Sequence, residues 1–472
     1  MTIQNTRTRN TILIVLFVGV LMGALDIAIV GPALPSIRKS FTVDERSMSW
    51  VFSIYVLLQL VSTPLMAKLS DMFGRRAVYV ADVLLFAIGS VIVTISPFVG
   101  SFGVFLAGRA IQGFGAGGIF PVAGAVIGDT FPPEKRGSAL GLIGAVFGMA
   151  FIIGPILGAI LLRFGWQWLF LINLPIAIIV IIIALKYIPS VKAAVRPTPD
   201  WTGMITLGLA LTSLAYAINQ IDTAHLVNSI TSMNMWPFIV ISVISFIIFV
   251  RIERSHPEPV LRLSLFKSRQ IVLSGVLTAG AGLGMAGLIF IPTLAVATLG
   301  LQGSSASFIL MPIVLAMSFG SPTIGRLLNK LGSKVIVMSG MVLLAAGMAV
   351  LGLVAVNLAM FIFAGVLIGF GLSALLGAPL RYIMLNETPA EDRAAGQGLL
   401  SLSSMVGQLF CAVIVGAVAD SQGGGILGFS AAFIVISGLA IVFFALTLGL
   451  KNRRQEIETA QHHEQAVATV TA

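Results

Sequence analysis

The sequence predicts an all-α integral membrane protein of fourteen spanning helices, arranged as two six-helix bundles with two helices inserted between them. Three observations carry this prediction. Of 472 residues, 57% are hydrophobic and only 10% charged, against roughly 25% charged in soluble domains, and the mean hydropathy is +1.04. Apolar stretches of about 18 residues or more, long enough to cross a bilayer, recur from one end to the other. Landmarks of the first half also return in the second at a nearly constant offset. PLMAKLSDMFGRR (Pro64 to Arg76) aligns with PTIGRLLNKLGSK (Pro322 to Lys334) at 258 residues, and EKRGSALGL from Glu134 aligns with EDRAAGQGL from Glu391 at 257.

The first stretch, 11–31, has no small-residue cleavage site after a short apolar core, so it reads as a retained helix rather than a signal peptide. Stretches 48–69 and 76–97 flank the first landmark, 102–127 and 137–162 flank the second, and 166–188 closes the first bundle. The inserted pair is 201–219, opened by DWTG, and 235–252. Stretches 270–299, 304–328, 333–356, 358–384, 394–419 and 426–450 repeat the first six, with the same landmarks in the same places. The expected regions are thus an N-terminal bundle (1–188), the inserted helices with flanking cytoplasmic linkers (189–269), a C-terminal bundle (270–450) and a polar cytoplasmic tail (451–472).

Lys and Arg placement sets the expected orientation. With the N-terminus in the cytoplasm, 23 of the 28 basic residues fall on the inner side, four (Arg38, Lys39, Arg46, Arg163) on the outer side, and Arg109 inside a span. Positive charge on the inside implies that both termini are cytoplasmic. The net charge of +10 is therefore scattered over short loops that meet anionic lipid. It forms no basic stripe with interleaved aromatics, which argues against a nucleic-acid partner.

Several chemistries are excluded. The single Cys411 cannot form an intrachain disulfide, and the four histidines (His225, His256, His462, His463) lie in loops or the tail, leaving no intramembrane metal cluster. No G-x-x-x-x-G-K-[ST] loop occurs, which argues against direct use of ATP. No serine is accompanied by a membrane-depth histidine or second deep carboxylate, which argues against an intramembrane hydrolase. An enzyme is not expected.

Asp26 is the residue that demands an explanation. It lies in an otherwise apolar helix, where a carboxylate costs roughly 2.5 to 3.5 kcal/mol on insertion scales. Asp26 and Arg109, counted from the outer ends of the first and fourth spans, share a depth on the order of 10 to 12 Å at about 1.5 Å per residue. The second half carries Val366 where the first has Arg109. Burial raises a carboxyl's proton affinity and a neighbouring guanidinium lowers it, so the two are the candidate proton-coupling pair, against the duller reading of a static buried ion pair. Asp82, in the third span, is a second intramembrane acid, read either as a further proton relay or as reaching back to Arg75 or Arg76. Gln59 and Gln112 are candidate cavity hydrogen-bonders or interhelical contacts.

Two equivalent halves around a midplane cavity form a transporter architecture, in which rocking of one half against the other exposes the cavity to alternate sides. At this point the motifs carry a resemblance spanning nearly the whole chain: the sequence resembles the major facilitator superfamily, and within it the fourteen-helix drug:proton antiporter family. AKLSDMFGRR is similar to the loop motif G-x-L-a-D-r-x-G-r-k, with Ala67 for the first glycine. LAGRAIQGFGAG resembles l-x-x-x-R-x-x-q-G-x-g, with Arg109, Gln112 and Gly113 in register. GMAFIIGPILGA resembles the fifth-helix antiporter motif g-x-x-x-x-x-G-P-x-x-G-G through Gly148, Gly154, Pro155 and Gly158, ending on Ala159. LDIAIVGPALP is similar to L-D-x-T-v-v-N-v-A-L-P, with Ala28, Gly31 and Pro32 at the variant positions. WQWLFLINLP and DWTG fit as well.

The resemblance implies the major facilitator fold and proton-coupled export of amphipathic or lipophilic small molecules. The proton gradient would be the energy source, without a cofactor, in a monomer of a bacterial-type cell membrane. It implies a cytoplasmic gate formed by Asp71, Gly74, Arg75 and Arg76, with Asp129 as a partner for the arginines; the competing reading makes the basic residues purely topogenic. The second copy carries Asn329 at the Asp71 position. The small residues of the fifth helix imply close packing, with a kink at Pro155. Two other readings stay open: an exporter of a lipid or endogenous metabolite on the same scaffold, and a non-transporting membrane receptor or scaffold.

Overall fold

The computed structural model describes residues 6–131, 139, 146, 149–150, 153–154, 156–189, 200–222, 225, 228–229, 232–256, 259, 263–301, 303–354, 356–388, 393–456 and 458–459. Among the described residues the regular elements are all helical, and thirteen helices are long and apolar enough to cross a membrane. These correspond to thirteen of the fourteen expected stretches. The remaining one, 137–162, lies mostly outside the described residues.

The first helices are α1 (Thr6–Phe41), α2 (Glu45–Phe73), α3 (Arg75–Val99), α4 (Phe102–Thr130), α5 (Gln167–Leu171) and α6 (Asn173–Tyr187). The inserted pair follows as α7 (Trp201–Asn219) and α8 (Trp236–Ser255). The later helices are α9 (Arg269–Gly287), α10 (Ile291–Leu299), α11 (Met311–Leu331), α12 (Ser333–Leu353), α13 (Leu358–Leu376), α14 (Ala378–Glu387), α15 (Arg393–Ser421) and α16 (Gly425–Thr447). Short polar side chains start several of them by accepting an otherwise orphaned main-chain N–H. Asp44 accepts from Ser47 N at 2.7 Å, Asn357 from Met360 N at 3.0 Å, and Asp200 of the DWTG signature from Gly203 N at 2.7 Å.

Four stretches expected as single helices are broken, each beside a proline, including 304–328, where a 3-10 turn (Ser307–Leu310) precedes Pro312 of α11. Proline has no N–H and removes one rung of the i to i−4 ladder. Pro175 leaves the Leu171 carbonyl without its donor where α5 gives way to α6. Pro292 does the same to Leu288, where a 3-10 turn (Leu288–Phe290) joins α9 to α10. Pro379 does so to Leu375, where α13 stops and α14 begins past Gly377.

The chain forms two compact units. The first comprises Met1–Gln220, Ile230–Val260 and Gln302–Phe308; the second comprises Ile221–Ser229, Leu261–Leu301 and Ile309–Ala472. The inserted pair belongs to the first. Asn219 Nδ2 at the end of α7 donates to Ser49 Oγ of α2 at 3.2 Å, and Ser242 Oγ of α8 donates to the Ala210 carbonyl at 2.8 Å.

The internal repeat is visible in each unit taken alone. In the first, α4 packs on both α2 and α3; in the second, α13 packs on both α11 and α12. The landmark loops share a backbone solution as well. Gly74 (φ 95°) and Gly332 (φ 78°) join consecutive helices in a conformation that side chains resist. Their N–H groups donate to Ser70 O at 3.1 Å and Leu328 O at 3.0 Å. Gly74→Ala is expected to cost about 1–2 kcal/mol, read as a lower Tm of the purified protein. Gly332→Ala should cost more, because its Cβ would lie 2.8 Å from Arg453 Cβ.

Candidate functional site

Asp26 of α1 and Arg109 of α4 meet in the interior of the first unit, both fully buried. Arg109 Nη1 donates to Asp26 Oδ2 at 2.5 Å and to Gln112 Oε1 at 2.9 Å. Its Nε donates to the Val51 carbonyl of α2 at 3.1 Å. The guanidinium carbon lies 4.4 Å from the centroid of the Tyr55 ring and 5.6 Å from that of Phe170, a stacking that suits a desolvated cation. Arg109 Nη2 and the Tyr55 hydroxyl have no hydrogen-bond partner among the described residues.

A second layer holds the carboxylate. Gln112 Nε2 donates to Asp26 Oδ1 at 3.3 Å and to Ser90 Oγ of α3 at 2.7 Å. Asn173 Nδ2, at the start of α6, reaches the same two atoms at 3.4 and 3.2 Å. Six helices, α1 to α6, thus converge on one buried ion pair, whose charge is spread over a polar network of the kind a buried pair needs. The sequence brought Asp26, Arg109 and Gln112 forward. It did not bring forward Ser90, Asn173 or Tyr55; Asn173, a full amide within an apolar stretch, was the one with a usable signal.

Gln112 and Asn173 duplicate each other's contacts. Asn173→Leu, which keeps the size and removes the donor, is therefore expected to slow transport by the purified protein in liposomes without stopping it. Loss as complete as that of an Asp26 variant would contradict this reading of the second layer.

Small residues let the helices approach closely enough for these side chains to meet. A Cβ on Gly113 would sit 2.2 Å from the Tyr55 carbonyl oxygen, and one on Gly89 would sit 2.6 Å from the Gln112 nitrogen. Of the fifth-helix motif, Gly148 and Pro155 lie outside the described residues. Gly154 and Gly158 are buried, and a Cβ on Gly154 would lie 2.7 Å from Ala28 Cβ of α1.

At the α3 and α4 ends of the gate motif, Arg75 Nε donates to Asp129 Oδ2 at 3.0 Å and Arg75 Nη1 to Ser70 Oγ at 2.7 Å. Arg76 Nη1 donates to the Leu185 carbonyl at 3.2 Å. The Asp71 side chain lies outside the described residues.

The expectation that Asp82 reaches back to Arg75 or Arg76 is corrected. Seven positions separate Asp82 from Arg75, about 10 Å of rise, and neither Asp82 oxygen has a hydrogen-bond partner among the described residues. The carboxyl instead faces α4 at Gly118. Gln59 also stands apart from the cluster, taking part through its carbonyl, which accepts from Thr63 Oγ1 at 2.7 Å.

A duplicated body of apolar spanning helices with a charged cluster buried in one unit defines a multi-pass membrane transporter rather than an enzyme. The family model of the Major Facilitator Superfamily matches residues 16–298 and 272–471, and the chain belongs to that superfamily. It is 35% identical over 400 residues to the uncharacterized MFS-type transporter YfiU of Bacillus subtilis (strain 168), covering 83% of this chain and 76% of that protein. It is 28% identical over 431 residues to the multidrug transporter protein MdtP of the same organism, covering 90% of this chain and 78% of that protein. The crystal structure of a bacterial homolog of the human lysosomal transporter Spinster superposes with a TM-score of 0.68 at 14% identity. That match covers 97% of this chain and 99% of the other, a likeness of fold.

Proposed function

We propose that the protein is a proton-coupled antiporter that exports amphipathic or lipophilic small molecules by alternating access of its two six-helix halves, and that Asp26 is where proton and substrate exclude each other. The observation that carries this reading is the fully buried Asp26–Arg109 pair with its hydrogen-bonded second layer. An ionisable residue within a membrane span is expensive and marks a transport pathway by default. A carboxyl that can exchange the Arg109 guanidinium and its amide donors for water when the helices move is suited to such a coupling site. Similarity to a relative named as a multidrug transporter supports the substrate class. Most of the 18 Met and 30 Phe side chains face lipid or the core; some of them would supply adaptable apolar surface for such molecules.

In this reading Asp26 takes a proton from the outside and releases it inward, and the gradient alone drives export; no cofactor takes part. The protein acts as a monomer in a bacterial-type cell membrane with both termini in the cytoplasm, as its basic residues direct. The test is a panel of amphipathic cations, neutral lipophiles and lipid-like compounds offered to proteoliposomes with an imposed pH gradient and an entrapped pH dye. Proton movement coupled to amphipathic drugs supports the proposal. Movement with lipid-like compounds alone would transfer the scaffold to an endogenous substrate. No substrate-dependent proton flux from any compound would leave a receptor or scaffold role and end it.

A further inference from the structure

Asp82 is the buried acid that the Asp26 cluster does not use. It sits on α3, fully buried, and neither carboxyl oxygen has a hydrogen-bond partner among the described residues. A buried polar group without a partner is a rarity in a native fold and calls for an explanation. The carboxyl is pressed against the bare Cα of a glycine on the neighbouring helix. A Cβ on Gly118 would lie 2.0 Å from Asp82 Oδ2 and 2.4 Å from Cγ, and a Cβ on Gly115 would lie 2.5 Å from the Asp82 carbonyl oxygen. α4 therefore keeps a glycine at the one place where this carboxyl needs room.

Among the described residues, the charged groups near that end of the unit are engaged elsewhere. Arg75 bonds Asp129 of α4, Arg76 bonds the Leu185 carbonyl of α6, Lys186 of α6 lies 5.5 Å from the Tyr187 ring, and Arg9 of α1 lies 5.7 Å from the Phe131 ring. Among the described residues, Tyr79, one helical turn earlier on α3, interacts electrostatically with Asp82, and its hydroxyl donates to the Val15 carbonyl of α1 at 3.3 Å. Among the described residues, no ion pair holds Asp82 in place. On α3 itself, Ser90 of the Asp26 second layer lies eight residues further along, about 12 Å at 1.5 Å per residue.

We propose that Asp82 is a second proton-binding site of the first unit, distinct from Asp26, held neutral while α3 and α4 are closed on Gly118 and releasing its proton when they part and admit water. Its place as the inner station of a proton route rests on the antiport reading above; its binding of an exchangeable proton does not.

The test is pH-difference infrared spectroscopy of the full-length protein in lipid nanodiscs, reading the C=O stretch of protonated carboxyls in wild type, Asp82→Asn and Asp26→Asn. A carboxyl band that is absent from Asp82→Asn, retained in Asp26→Asn and shifted in D2O is expected. Gly118→Ala should move that band, since the new methyl displaces the carboxyl. If Asp82→Asn does not fold, Asp82→Glu serves instead, with a displaced band expected. Wild-type and Asp82 variant spectra that coincide over the whole accessible pH range would overturn the proposal. The Asp82 band intact, together with proton-driven exchange at the wild-type rate in Asp26→Asn liposomes, would count against the antiport reading alone.

Discussion

Asp26→Asn is expected to abolish proton-driven exchange in liposomes, reducing it to the level of protein-free vesicles, while the protein still reaches the membrane. The amide resembles the neutral acid in shape but binds no proton, so the site has one protonation state and nothing to couple. The same change leaves the Arg109 charge buried without its counter-ion, and breaking a buried pair from one side costs about 3–5 kcal/mol. A lower Tm is therefore expected alongside the loss of exchange, and the two effects must be separated. Asp26→Asn combined with Arg109→Gln removes both charges together. This pair should recover much of the Tm, because Gln112 and Asn173 remain to satisfy the amide, yet recover none of the exchange. Proton-driven exchange at the wild-type rate in either variant would contradict the assignment of Asp26.

Gly113→Ala is the second large effect. The added methyl would lie 2.2 Å from the Tyr55 carbonyl oxygen and 2.8 Å from its carbonyl carbon and Cα. Main chain cannot swing aside as a side-chain tip can, so α2 and α4 must separate. Overpacking of this kind costs typically about 1–3 kcal/mol, and here it also displaces the cradle of Arg109. The guanidinium bonds Val51 and stacks on Tyr55, both on the helix that is pushed away. A lower Tm and a strong loss of exchange are expected together. Ala at Gly23, where an added Cβ meets nothing within 4 Å, is the control that should change neither.

Much of this could be read from the chain itself, for physical reasons that also mark where the reading stopped. Charges inside apolar helices are rare and expensive, so Asp26 and Arg109 stood out, and counting rise per residue placed them at one depth. The repeat at 257–258 residues organised the whole molecule, because a duplicated backbone keeps its turns in register, as Gly74 and Gly332 do. What the chain does not write down is lateral position. Ser90 and Asn173 join the cluster because α3 and α6 stand beside α1, and no spacing along the sequence states that neighbourhood. Asp82 lies on nearly the same face as Arg75, but the helix lifts it out of reach and turns its carboxyl to Gly118. The breaks before Pro175, Pro292, Pro312 and Pro379 were hidden because hydropathy scores side chains, whereas the missing group is a main-chain donor.

Coupling requires that a proton leave Asp26 when substrate arrives. The most direct measurement is proton release into weakly buffered solution when a compound shown to be transported is added to the purified protein, in wild type and in Asp26→Asn. Release on binding to wild type, and none from a variant that still binds the compound, is the predicted result. Binding to wild type without any release, or equal release from both, would contradict it.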